Sequence, residues 1–111
     1  MSKDVKLFIE HILDSINKIE MFVNGVTEKN FLDDLKLQDA LVRRIEIIGE
    51  AVKNIPQEFK EDNKNIPWKD IAGMRDKLMH QYFGVDFEKV WRTVKEDIPN
   101  LKEKISKIKK G

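Results

Sequence analysis

Apolar residues recur every three or four positions along most of this chain, and that spacing constrains the fold more than any other feature. It places the apolar side chains on one side of an α-helix. No segment shows the period-two alternation, bounded by turn dipeptides, that is typical of a half-buried strand. The sequence therefore predicts an all-α protein, an antiparallel up-and-down bundle of four to five helices.

Capping residues, glycines and prolines indicate where the helices begin and end. A first helix starts at Ser2 or Asp4 and ends at Asn24-Gly25, and a short helical turn anchored by Phe31 and Leu32 follows. The later segments are expected to be a helix from about Leu35 to Ile55, a polar connection from Pro56, a helix from about Trp68 to Phe83 closed by Gly84, a helix capped by Asp86, and a last helix opened by Pro99.

Length and composition limit the class of protein. With 111 residues, the chain is expected to form a single domain over residues 1–111. It has no cysteine and two histidines, so neither a disulfide nor a dedicated metal site is expected. The N-terminus lacks a signal-peptide pattern, and no apolar run approaches the about 18 residues of a membrane span. We therefore expect a cytoplasmic protein that does not enter membranes.

Charge gives little sign of a partner. The formal net charge is +1, although 37% of the residues are charged. A protein with so small a net charge is not marked as a nucleic-acid binder by its overall field. The C-terminal residues 101–111 are locally basic, and a solvated helix end is a better interpretation of them than a phosphate contact.

The stretch RDKLMHQYF, residues 75–83, contains the polar residues that most need an explanation. On a helical wheel Arg75 falls within an apolar stripe that includes Trp68, Ile71 and Leu78. Burying a guanidinium without partners costs several kcal/mol, so Arg75 must reach a carboxylate, a cleft or a ligand. Two structural interpretations stay open. Its stem lies on the core with the head in water, or it pairs with a carboxylate of the long helix, Glu46 or Glu50.

His80 lies about 140° from Arg75 around a straight helix. It shares a line with Asp76, four residues earlier, and with Gly73. Asp76 could therefore accept a hydrogen bond from the imidazole and favour its protonated form. An ordinary surface pair is the alternative. A helix with an apolar face and a second, polar face suits a twofold dimer, in which two copies of Arg75 and His80 would line one cleft.

The spacing Arg75-x4-His80-x-Tyr82 resembles the R-x(4–6)-H-x-Y motif of the HEPN superfamily, specifically its HepT-like (DUF86) branch. The resemblance extends to the flanking segments. DALVRRIEIIGEAVKNIP, from Asp39 to Pro56, resembles the long helix of that branch, and Ile66 to Ile105 resembles its C-terminal half. It covers nearly the whole chain from Val5 onward.

This resemblance implies a HEPN-like bundle that forms a homodimer or higher oligomer. It implies a metal-independent endoribonuclease, without a cofactor, that is the toxin of a HEPN/MNT (type VII) toxin–antitoxin pair. RNA would be the substrate, and Arg75 and His80 would act in its cleavage. A minimal nucleotidyltransferase (MNT) antitoxin would neutralise the toxin by attaching AMP to Tyr82.

The sequence is also compatible with other roles and functions. Asp76 could orient His80, and Glu50 could hold Arg75 between substrates, or each could form a plain structural ion pair. The chain could instead be a non-catalytic module that binds a nucleotide or the nucleotidyltransferase. It could also be a helical scaffold in which the polar motif only specifies the dimer.

Overall fold

Helices follow one another through residues 1–80 and 84–108, the part of the chain that this computed structural model describes. They are α1 (Lys3–Val23), α2 (Glu28–Leu32), α3 (Leu35–Lys53), α4 (Gln57–Glu61), α5 (Trp68–Ala72), α6 (Met74–Lys77), α7 (Phe87–Arg92) and α8 (Ile98–Ser106). A π-helical segment, Thr93–Asp97, joins α7 to α8, and two short strands, β1 (Met79–His80) and β2 (Gly84–Val85), lie between α6 and α7. The predicted all-α class is confirmed.

Side-chain caps start the helices where the sequence predicts them. The Ser2 hydroxyl accepts a hydrogen bond from the Val5 amide at 3.2 Å, and Asp86 accepts one from the Lys89 amide at 3.2 Å. Each cap satisfies one of the amides that the first helical turn leaves without a partner. Gly25, with φ of 73°, ends α1 in the left-handed region that glycine adopts at little cost.

The core lies between α1, α3 and the C-terminal helices, with α5 and α6 packed against α3. Its fully buried side chains are Ile9, Ile12, Ile16, Ile19, Phe31, Leu41, Ile45, Ile48, Val52, Val90, Ile98 and Ile105. Phe31 stacks on Trp91 with ring centroids 5.2 Å apart, which ties α2 to α7. Leu32 is 38% exposed, so its expected role as a second anchor is wrong. In this described part of the chain, every helix is too short or too polar to cross a bilayer.

Two predicted boundaries are wrong. The expected polar connection after Pro56 contains α4, whose Phe59 ring lies 6.2 Å from that of Trp68. The two expected C-terminal helices form one helical run, because the π-helical segment Thr93–Asp97 joins them and Pro99 is the second residue of α8. Proline cannot donate to the carbonyl four residues earlier, which here belongs to Lys95, and the wider π-helical turn accommodates that missing bond.

The helix expected from about Trp68 to Phe83 is also interrupted. Gly73 separates α5 from α6, and α6 ends at Lys77. The backbone then forms a short antiparallel pairing, with His80 opposite Gly84, which the helical periodicity does not predict. Gly84 has φ of 82°, which a residue with a side chain rarely adopts. The strand hydrogen bonds satisfy backbone groups that have left the helix.

Candidate functional site

Arg75 lies in α6 and bonds to a carboxylate of α3. Its Nε atom donates a hydrogen bond to Oε2 of Glu46 at 2.9 Å. The Arg75 side chain is 46% exposed and that of Glu46 is 31% exposed. Of the two carboxylates that the sequence offered, Arg75 therefore pairs with Glu46. Its predicted place inside the apolar stripe is wrong, because the interruption at Gly73 leaves it at the edge of α3, half in water.

An open groove of about 340 Å³, called the Arg75 groove below, lies between α3 and the α5–α6 segment. Its lining residues are Arg43, Glu46, Gly49, Glu50, Lys53, Ala72, Arg75 and Asp76. Three of these side chains are cationic and three are acidic, so the formal charges of the groove balance. A balanced groove does not attract a polyanion through its overall field. Any anion that binds here must be recognised by individual N–H donors.

Gly49 sets how closely the two walls of this groove approach. A Cβ atom at this position would lie 3.4 Å from the Ala72 carbonyl oxygen and 3.6 Å from that of Ile71. The end of α5 therefore packs directly on the backbone of α3. Gly49 follows Glu46 by three residues on the same helix, so this close approach brings α6 within reach of the Glu46 carboxylate.

Arg43 and Lys53 are groove residues that the sequence analysis did not identify. Together with Glu46 and Glu50 they recur at intervals of three and four residues along α3. That spacing places all four on one side of the helix. These polar residues form a stripe along one face of a helix whose opposite face is apolar. That pattern could have identified them from the sequence.

The two predicted supporting residues lie at the same groove. The Asp76 side chain is 81% exposed, with Oδ1 3.8 Å from Nη1 of Arg75. Glu50 pairs with Lys53 at 3.6 Å, and both side chains are largely exposed. The predicted helical line from Asp76 to His80 is wrong, since α6 ends at Lys77. The supporting roles of Asp76 and Glu50 remain predictions.

The backbone of His80 lies in β1, opposite Gly84. Its side chain and residues 81–83, including Tyr82, lie outside the part of the chain that the structure describes, so their predicted roles remain predictions. The second histidine, His11, lies exposed in α1.

Another cavity, of about 170 Å³, lies between the α5–α6 segment and the C-terminal helical run. Ile71, Met74 and Leu101 contribute buried apolar side chains to it. Arg75 is not among its lining residues. Because a half-exposed arginine is a stronger sign of a site for phosphates than an apolar cavity, we place the candidate site at the groove that Arg75 lines.

Comparison with known proteins identifies the family. The family model described as Ribonuclease HepT-like matches residues 12–108. The chain therefore belongs to the HepT-like ribonuclease family. The matched range includes α3, α6, both strands and the whole Arg75 groove.

Several relatives carry ribonuclease names. A Thermococcus cleftensis protein named "Probable ribonuclease HepT" is 50% identical over 110 residues, 99% of this chain and 100% of the relative. A proposed RNase of Caldanaerobacter subterraneus subsp. tengcongensis is 45% identical over 106 residues, 96% of this chain and 95% of the relative.

One relative is about twice as long. A Methanocaldococcus jannaschii protein, named as a gamma-glutamylcyclotransferase and proposed RNase, is 56% identical over 108 residues. The match spans 97% of this chain but 49% of that protein. No solved structure gives a significant match.

Proposed function

We propose that this chain is a metal-independent endoribonuclease that acts as a homodimer, with Arg75 and His80 of both copies at one RNA-binding cleft. The observation that carries the proposal is the state of Arg75. Its side chain is 46% exposed at an open groove, and among the described residues its one hydrogen bond runs from Nε to Glu46. The terminal amino groups can bind a phosphate through two parallel hydrogen bonds.

The proposed reaction is attack by a ribose 2′-hydroxyl on the adjacent phosphorus. The new bond joins O2′ to phosphorus, the bond from phosphorus to O5′ breaks, and the products carry a 2′,3′-cyclic phosphate and a 5′-hydroxyl. One histidine accepts the proton of the 2′-hydroxyl, and another donates a proton to the leaving O5′. Arg75 stabilises the extra negative charge on the phosphoryl oxygens in the transition state.

This chemistry needs two proton-transfer groups, and the motif supplies a single histidine per chain. A second copy would bring the other His80. Dimerisation is therefore part of the proposed catalytic mechanism. A monomeric variant that cleaves RNA as fast as the dimer would contradict it.

We further propose that a partner nucleotidyltransferase neutralises the enzyme by modifying Tyr82. The tyrosine oxygen would attack the α-phosphorus of a nucleoside triphosphate, releasing pyrophosphate and leaving AMP on the side chain. The added phosphate would compete with RNA for Arg75 of the same cleft, and its bulk would obstruct the groove. Normal RNA cleavage by fully modified protein would exclude this mechanism.

The test of the ribonuclease function is cleavage of single-stranded RNA in the presence of a chelator. Cleavage should persist without metal and yield cyclic phosphate ends. The matched oligodeoxynucleotide, which lacks the attacking 2′-hydroxyl, should remain intact. Activity that disappears on chelation, or equal cleavage of DNA, would contradict the proposal.

A second candidate function is a non-catalytic module that binds a nucleotide. The Arg75 side chain is 46% exposed at an open groove, where it would fit the phosphate of a free nucleotide as well as that of RNA. Such a module would bind a nucleotide through Arg75 without converting it. Isothermal titration with AMP and ATP, followed by analysis of the recovered nucleotide, distinguishes binding from turnover.

A further inference from the structure

The contact between Glu46 and Arg75 joins two separate parts of the chain. It runs from α3 to α6, across 29 positions of sequence, with Nε and Oε2 2.9 Å apart. Gly49 lets the end of α5 rest on α3, which holds the two residues at this distance. Local sequence does not create the pair, so its geometry depends on how the helices pack.

The orientation of this hydrogen bond matters more than its presence. A guanidinium has five N–H groups. Glu46 accepts a hydrogen bond from the one on Nε, the nitrogen that joins the guanidinium to the rest of the side chain. Among the described residues, Nη1 and Nη2 of Arg75 make no hydrogen bond, and Oδ1 of Asp76 lies 3.8 Å from Nη1. As far as the described residues are concerned, the four terminal N–H groups can therefore donate to a ligand.

From this geometry we infer that Glu46 is a positioning residue for the proposed ribonuclease, which fixes the guanidinium plane of Arg75 so that Nη1 and Nη2 meet the phosphate. The inference rests on the proposed function. Arginine has several rotatable bonds and would otherwise lose conformational entropy when it binds the phosphate. Glu46 removes part of that cost before the substrate arrives.

A purely structural role explains the pair less well. Ion pairs with this exposure contribute little to stability, because water screens the charges and both side chains lose freedom. A displaced catalytic group, in contrast, can lower the rate by about 100-fold for a shift of 1 Å. Glu46 should therefore affect RNA cleavage far more than the melting temperature.

Glu46→Ala removes the acceptor, and Glu46→Gln keeps an oxygen that can still accept from Nε. We expect kcat for RNA cleavage to fall about 10- to 100-fold in the alanine variant, with a smaller loss in the glutamine variant. The melting temperature of both should stay close to that of the wild type.

Glu20 provides the matched control. It forms another ion pair between helices, with Lys102 at 2.7 Å, and the two side chains are 49% and 41% exposed. Glu20→Ala therefore removes a comparable ion pair away from the Arg75 groove. We expect it to leave kcat unchanged, which would separate the loss of positioning from the loss of any exposed ion pair.

The outcomes distinguish the inference from the proposed function. If the wild type cleaves RNA, Arg75→Ala does not, and Glu46→Ala keeps the wild-type kcat, the positioning role is wrong and the ribonuclease stands. If the wild type does not cleave RNA, the proposed function is wrong. Binding of 2′-O-methyl RNA then decides the inference. Arg75-dependent binding that weakens in Glu46→Ala supports it, and wild-type binding by Glu46→Ala, or binding that does not depend on Arg75, overturns it.

Discussion

Helices α1 and α3 run for 21 and 19 residues without interruption, whereas α6, which carries Arg75, has four residues. The long helices bury apolar side chains at each turn, and packing of such a face supplies most of the stability of a helix. A helix of four residues does not form alone. It depends on the burial of Met74 and Leu78 and on the contact of α5 with α3.

The comparison suggests that stability and the candidate site reside in different parts of the molecule. The α1–α3 pair provides a rigid support. Between Gly73 and Asp86, the residues that the structure describes form one four-residue helix and two short strands, and they include Arg75 and His80. Segments that leave regular structure can direct polar side chains outward, which is why binding residues often lie in them on a rigid scaffold. Substitutions in the two regions should therefore affect different measurements.

The largest effect on stability is expected from Phe31→Ala. Phe31 is fully buried and stacks on Trp91. Losing a buried phenylalanine typically lowers the free energy of unfolding by about 3–5 kcal/mol. Urea denaturation measures it, with Leu35→Ala as control, because Leu35 is 69% exposed. A loss below about 1 kcal/mol would show that α2 is not part of the cooperative core.

The largest effect on activity is expected from Arg75→Ala and His80→Ala. Loss of a general acid or base typically lowers a rate by about 10²- to 10⁴-fold, and loss of a single group that stabilises the transition-state charge by about 10²- to 10³-fold. The melting temperature should change little. His11→Ala is the control, since His11 is the second histidine and lies exposed in α1. If His11→Ala lowers the cleavage rate as much as His80→Ala, the site has been placed wrongly.

Gly49 lies where the two regions meet, and two substitutions at this position should have different effects on stability and RNA cleavage. The Cβ of Gly49→Ala would meet the Ala72 carbonyl at 3.4 Å, an ordinary contact. We expect stability near or slightly above that of the wild type. The larger side chain of Gly49→Leu would push α5 away from α3, at a cost of about 1–3 kcal/mol, and should also lower RNA cleavage. If Gly49→Ala and Gly49→Leu gave the same stability and the same cleavage rate, the close packing at Gly49 would be contradicted.

The smallest effect is expected from Gly73→Ala, between α5 and α6. The new Cβ would lie 3.6 Å from the Lys69 carbonyl oxygen, so there is space for it. Alanine reduces the freedom of the unfolded chain, which should raise the free energy of unfolding by about 0.4–1 kcal/mol. Denaturant titration measures the change. A clear destabilisation would indicate that the interruption at this glycine is required for folding.

The site was only partly predictable. The sequence identified Arg75 as a residue that needs a partner and offered Glu46 and Glu50 as candidates, one turn apart on the same helix. The local sequence does not show which of the two glutamates pairs with Arg75. The pairing with Glu46 depends on how closely α6 approaches α3, which the contact at Gly49 sets.

By itself the sequence determined the helical class, most helix ends and the motif that marks the family. Caps, prolines and apolar periodicity act within a few residues, so they can be identified locally. Tertiary structure alone decided the short helix at Arg75, the pairing of His80 with Gly84 and the single helical run across Pro99. Each of these features lacks some regular helical hydrogen bonds. Contacts with elements distant in the sequence provide the stabilisation that those bonds would have given, so local sequence does not predict them.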